Sequence, residues 1–323
     1  MKKVIIAVCA VAVVAVASMP YVNGILMEKA MRQAFQKTNE MYGDTGLGYS
    51  LQITKYERGY STSDVEWEVR FDQFKALYKI DKIIFTDHAK HGLTSVVSTT
   101  SLDKNPWYEK LINDKLQGED PLHISTKYGL LGDIESTVSV DSFTIEAEDE
   151  TINVKPANLI TKTDYHFKKF NYSGEWEGMS VADSATIGHT TLTSDLEMLD
   201  SLVWIGDMTF GVDGIDANII DVNGNENQLH IKKFDGKYLL SANDDKSLVS
   251  GEALWSIEDI ETGDFKVDNA SANFAINNLN VERYKEFMGL YTKTMGEVFK
   301  QMETLDNNDE MTKAETQQQI AMI

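Results

Sequence analysis

Cysteine is nearly absent: the 323 residues contain one, Cys9. A single thiol closes no disulfide within the chain and furnishes no Cys-based zinc site. Proline is scarce as well, with four residues at 20, 106, 121 and 156. That suits long strands, because proline removes a ladder donor. Positive charge is the third shortage. Lys and Arg total 30 against 51 Asp and Glu, so the net charge is −21 and the isoelectric point is near 4.6. Phosphate backbones are bound by clustered cations, so nucleic acid is excluded as a partner. Local catalytic patterns are missing too: G-x-S-x-G, H-E-x-x-H, G-x-x-x-x-G-K-[ST] and G-x-G-x-x-G do not occur. What is present, 42% apolar and 25% charged residues, is the composition of a folded chain with a sizeable core.

Met1-Lys2-Lys3 precedes an uncharged run over residues 4–27, and its first part, 4–17, consists of Val, Ile, Ala and Cys9. Basic residues, an apolar stretch and then small residues form the pattern of an export signal. Two outcomes stay open. About 20 apolar residues span a bilayer core as a helix, and residues 4–22 supply nearly that, with Pro20 weakening the last turn. Alternatively Ala15-Val16-Ala17 offers a small-x-small cleavage site after Ala17. In both, Lys2 and Lys3 stay in the cytoplasm and the remainder is exported. Cys9 lies too early in the run for a lipidation site and excludes a catalytic cysteine in the exported body. Removing Lys2 and Lys3 from the count leaves −21 − 2 = −23 for that body. Anionic head groups repel such a charge, so attachment must come from the apolar segment.

The pattern along the chain predicts an α+β protein, mostly antiparallel sheet. The expected parts are a signal-anchor or transmembrane segment at 1–23, a connecting helix at 24–42, a β-rich exported domain at 43–280, and a C-terminal helical segment and polar tail at 281–323. Ile25, Leu26, Met27, Met31, Ala34 and Phe35 recur at helical spacing. From about residue 47 the period becomes two. In the clearest strand Val65, Trp67, Val69 and Phe71 point one way, and Glu66, Glu68 and Arg70 the other. Such alternation suits antiparallel sheets with one wet face. Asn223-Gly224 and Asp235-Gly236 read as hairpin turns. Residues 106–118 read as a short helix opening on proline, and 196–203 as a second helical insertion. After Asn280, Tyr284, Phe287, Met288, Tyr291, Met295, Val298, Phe299 and Met302 form a helical stripe, read first as packing against the sheet and second as a partner-binding face.

Four features together resemble one family. They are the apolar terminus leading into a helix; Tyr56-Glu57-Arg58-Gly59-Tyr60-Ser61-Thr62-Ser63 between two early strands; His88-Ala89-Lys90-His91-Gly92 after the apolar strand 83–85; and the strand Phe274–Asn280 before the helical segment. The chain resembles the YdgA-like proteins of the Gram-negative envelope, a family of unknown function. Leu93 stands where that family often has proline after His-Gly. Its members usually continue past the helical segment with more strands, so a short natural form and a truncation both stay open at Ile323. The resemblance implies the inner membrane, crossed once, with the C-terminal body in the periplasm, or release to the periplasm if the chain is cleaved after Ala17. It implies no reaction, cofactor or substrate.

Candidate chemistry is thin, and no catalytic, cofactor or metal residue is assigned. Arg58-Gly59 suits a bend whose guanidinium ties to carbonyls or a carboxylate. His88 and His91 share a face on a helix and oppose each other on a strand; following a strand and preceding Gly92, they read as a turn, with Asp87 the one acidic neighbour. His123, His166, His189 and His230 are scattered. Asp221–Asn225 opens like a calcium loop but has Glu226 and Lys232 at the sixth and twelfth positions, so it reads as a polar hairpin tip. Glu175 and Glu177 flank Trp176 as chance carboxylates. The sequons at Asn171 and Asn269 matter only in a eukaryotic secretory pathway. Three functions are therefore expected in order. The first is a non-enzymatic tethered envelope protein that binds a protein partner or itself. The second is a carrier or sensor of an apolar ligand such as a lipid, because long alternating strands can curl into a groove. The third is a hydrolase with an unrecognised site and His91 as its base.

Overall fold

The computed structural model describes residues 2–42, 49–71, 80–146, 150–182, 184–200, 202–220, 226–263 and 265–306. Side chains at 2–15, 42, 219, 220, 226, 292, 295, 296 and 299–306 lie outside that description. The chain divides into two compact units, Met1–Asn105 with Glu282–Ile323, and Pro106–Val281.

In the first unit α1 (Lys2–Tyr42) is a single helix that passes through Pro20. The segments read at 1–23 and 24–42 are thus one continuous element. Most of the apolar run on which the anchor reading rests falls on side chains outside the description. Among the described residues no helix is long and apolar enough to cross a membrane. Strands β1 (Tyr49–Arg58), β2 (Thr62–Phe71), β3 (Lys82–His91) and β4 (Ser95–Ser101) form an antiparallel meander, and α1 packs on β1, β3 and β4. Met27, Ala30 and Met31 of α1 are buried with Val65, Ala89 and Val96 of the strands. Trp67 stacks on Phe85 at 4.0 Å and meets the edge of Phe35 at 5.3 Å, so α1 fills the space over this aromatic. Asp87 shares that face, where Trp67 Nε1 donates to it at 3.0 Å and Thr100 Oγ1 donates to its other oxygen. Burial raises its pKa, and these two donors work against the rise.

The expected turn at His88–His91 is part of β3 instead. His88 pairs with β2 and both histidines pair with β4, so they point to opposite faces, His88 exposed and His91 buried. The turn comes one residue later, where Gly92 N donates to Ser95 O at 2.7 Å.

The second unit begins with α2 (Pro106–Lys115), as its leading proline predicts. After β5 (Leu122–Gly129) the chain meanders through long strands, most of them interrupted once by two residues. These are β6 (Asp133–Val140) with β7 (Phe143–Glu146), β8 (Thr151–Val154) with β9 (Ala157–Asp164), β10 (Lys169–Trp176) with β11 (Met179–Val181), β12 (Ala185–Ile187) with β13 (Thr190–Asp200), β14 (Val203–Val212) with β15 (Ile215–Ile220), and β16 (Glu226–Ile231) with β17 (Phe234–Ala242). The last two, β18 (Leu248–Thr262) and β19 (Phe265–Asn280), run through. Every pairing is antiparallel, as the alternation predicts. The helical insertion expected at 196–203 is the end of β13 and start of β14, because its apolar residues Leu196 and Met198 continue the strand period. Asp235-Gly236 is also no turn. It lies inside β17, bonded to strands on both sides, and Gly236 is needed because a Cβ there would overlap the Phe210 ring. Asn223-Gly224 and the loop 221–225 lie outside the described residues.

The final helix, α3 (Val281–Asp306), starts where the chain leaves β19. Of its stripe, Phe287 and Tyr291 are each more than half exposed, while Tyr284, Met288 and Val298 are half-buried. The side chains of Met295, Phe299 and Met302 lie outside the described residues.

Candidate functional site

The long sheet of the second unit has one apolar face. Strand pairing aligns side chains on one side into rows that cross the sheet. One row runs Phe143, Val154, Met179, Ile187, Ile215, Ile231, Ile260, Val267. Another, beyond the interruptions, runs Val140, Ala157, Trp176, Thr190, Val212, Phe234, Ile257, Ala270. The opposite face carries residues such as Asn153, Ser180, Thr186, Asp216, His230 and Glu261. All members of both apolar rows are half-buried; none is fully buried and none is open. A second layer laid over this face would bury the central members, as in a sandwich core. Among the described residues of this unit, its own helix α2 makes no extended contact with these strands. The side chains instead shield one another: Phe170 meets Trp204 edge-on at 5.3 Å, and Phe210 meets Phe234 at 5.3 Å.

The interruptions explain how one face stays apolar along such long strands. Across them the inward residues are spaced three apart, not two: Val140 to Phe143, Val154 to Ala157, Trp176 to Met179, Ile187 to Thr190, Val212 to Ile215 and Ile231 to Phe234. Each long strand therefore carries one extra residue, a bulge, at the same level. The extra residues bond across to their neighbours. Glu177 N donates to Pro156 O at 2.9 Å, Gly188 N to Gly214 O at 2.8 Å, and Glu258 N to Lys233 O at 3.0 Å. Gly178 and Gly214 sit there with φ of 100° and 107°, a region that costs other residues heavily. Bulges bend a strand and raise its twist, so bulges in register form a crease across the whole sheet.

In the first unit the two short motifs, 56–63 and 88–92, meet on α1. Arg58 Nη1 donates to Glu28 Oε2, and Arg32 on the helix itself holds Glu28 Oε1 at 3.0 Å. The Arg58 guanidinium stands 5.3 Å over the Tyr21 ring, and Tyr60 Oη donates to Ala17 O. Tyr56, pushed up to about 12 chiefly by burial, lies near Ser63 and 5.7 Å below Arg32. His91 Nε2 is 2.9 Å from Ser63 Oγ, its ring packs against Gly24, and Asn23 Nδ2 donates to Gly92 O at 2.8 Å. Burial holds the His91 pKa below its usual value, with a smaller push from the Arg58 charge. Ser63 and His91 have the spacing of a nucleophile and base. Ser63 is 0% exposed and the histidine is covered by α1, so the pair is a packing contact that no substrate reaches. These motif residues clamp the helix that continues from the apolar terminus.

The remaining candidates do not converge. Four histidines each face one aspartate: His88 with Asp64 at 2.6 Å, His123 with Asp141 at 2.9 Å, His189 with Asp213 at 3.5 Å, and His230 with Asp216 at 2.6 Å. Among the described residues no group of three His, Cys, Asp or Glu is placed to hold a metal ion. Glu175 is exposed on the polar face and Glu177 is exposed in the crease. The apolar face itself was legible only in part. Period two marks each half-strand, and the three-residue steps between apolar positions were the signal for the crease.

The geometry defines a bulged antiparallel sheet with one apolar face, in a chain whose first helix is clamped by two short motifs of the sheet it packs on. The chain belongs to a bacterial family of unknown function (DUF945), whose match extends over residues 1–322. No curated protein and no solved structure matches it.

Proposed function

We propose that this is a membrane-tethered, non-enzymatic protein of the Gram-negative envelope, YdgA-like, that holds the acyl chains of a lipid against the apolar face of its long sheet. One observation carries the reading: eight apolar side chains, from Phe143 to Val267, cross eight strands in one row and are half-buried without one of them being fully buried. Strands lie about 4.8 Å apart, so the row is roughly 34 Å long. A leaflet's share of a bilayer core is roughly 15 Å, so the row has room for a whole extended acyl chain. The polar reverse face keeps the sheet wettable, and the apolar run at residues 4–22 supplies the anchor to a single inner-membrane crossing, with the body in the periplasm.

The test is to purify the full chain from native membranes in mild detergent and analyse an organic extract by mass spectrometry. Co-purifying lipid is expected with the natural sequence and with Thr186→Glu on the polar face. It should be lost from Ile187→Asp, whose side chain lies opposite Ile215 on the apolar face. Repeated preparations without lipid, in protein whose circular dichroism is intact, would overturn the reading. A second reading, an envelope protein that pairs with itself, is favoured by the outer edge of β19, to which no strand pairs among the described residues.

A further inference from the structure

Strand β19 pairs with β18 alone, and among the described residues nothing pairs with its outer edge. It is 16 residues long, well beyond the usual edge strand. Edges are normally guarded by charge, proline or bulges. From Asn269 to Asn280 this edge has neither charge nor proline, although the chain carries 51 acidic residues. Asn269 and Asn278, with φ of 55° and 56°, mark irregularities at the two ends of a regular stretch, 270–276. Within it Phe274 and Ile276 stand 58% and 57% exposed.

We propose that two copies of the chain join β19 to β19, antiparallel, about a two-fold axis perpendicular to the sheet. A strand paired with its own copy offers each donor an acceptor in the same geometry on both sides. The perpendicular axis keeps both apolar faces on one side, so Phe274 and Ile276 of each copy fall on the same face. With Phe274 opposite its symmetry mate, Ala272 lies opposite Ile276, small against large. Charge selects the place. Two acidic chains repel over most of their surface, and this uncharged stretch is where they meet without like charges opposed. The edge stretch itself offers a basic partner strand no carboxylate, and Glu252 on the neighbouring β18 already accepts from Asn273 Nδ2 at 3.0 Å. The pairing stands on the strand edge and does not depend on lipid binding.

The experiment measures the mass of the full chain in density-matched detergent by analytical ultracentrifugation. The natural sequence is expected to be a dimer. Ala275→Lys, exposed on the polar face of β19, should weaken association by roughly twofold to fivefold through like charge diagonally across the axis, with its circular dichroism unchanged. Mixing Ala275→Lys with Ala275→Glu should restore the dimer. Should Ala275→Lys fail to fold, Asn273→Lys takes its place. A monomeric natural sequence, or a dimer indifferent to the lysine, overturns the proposal; the latter result would place the contact elsewhere, for example in α1.

Discussion

Replacing Gly24 by alanine should destabilise the protein, although alanine is the better helix former. In the middle of α1 the exchange on its own stabilises by about 1 kcal/mol. A Cβ at this position would lie 2.6 Å from His91 Nδ1 and 3.0 Å from Nε2, and ordinary contact begins near 3.4 Å. The ring must therefore retreat by about 1 Å into a packed interior, which costs about 1–3 kcal/mol. Retreat also pulls Nε2 from the buried Ser63 hydroxyl, 2.9 Å away, a loss of about 1 kcal/mol. The net effect is a loss of about 1–3 kcal/mol. Urea unfolding of the purified full chain, followed by tryptophan fluorescence, measures it. The decisive comparison is the same exchange in a His91→Ala background. With the ring gone, only the propensity gain remains, so Gly24→Ala should there stabilise. The same sign in both backgrounds, or a stabilised single variant, refutes the account of how α1 is seated.

Two further outcomes follow from the same geometry. The folded-state pKa of His91 lies below its ordinary 6.5, so the unfolded chain binds the extra proton first as pH falls. The stability tied to the neutral ring is complete above pH 6.5 and is lost as pH drops through the lowered value. His91→Gln should flatten that part of the pH dependence of the unfolding midpoint, and an unchanged slope would remove His91 as its source. Deleting Lys233 from the crease should turn the side chains of β17 to the wrong face, exposing buried Leu240 at about 1.5–3 kcal/mol and half-buried Phe234 at a smaller cost. Lys233→Ala, which keeps the count, should be tolerated. A deletion variant with a normal unfolding midpoint would contradict the one-residue bulge.

Much of the secondary structure was legible because it is written in local periods. Alternation at 65–71 and the proline-led helix at 106–115 appear where the residues predict them. Reading failed where a local signal was outweighed by pairing. Asp235-Gly236 has the composition of a turn, but two flanking strands bond it, and the Phe210 ring uses the absent side chain. His88–His91 precede a glycine and look like a turn, but pairing with β4, and with β2 as far as Lys90, holds them extended. The stripe on α3 has core spacing, yet Phe287 and Tyr291 are more than half exposed, because periodicity reports which face is apolar and not what covers it.

The sequence by itself determined that the chain is acidic, lacks a disulfide framework, begins with an apolar run and builds antiparallel strands, since each of these depends on composition or on neighbours a few positions apart. Tertiary structure alone decided that the motifs at 56–63 and 88–92 meet on α1, more than thirty positions from the nearer of them to Gly24. It alone aligned the extra residues of successive strands into one crease and gathered the apolar residues of many strands on one face. Those facts depend on register between distant segments, and register is set by the summed burial of whole strands, which no local pattern contains.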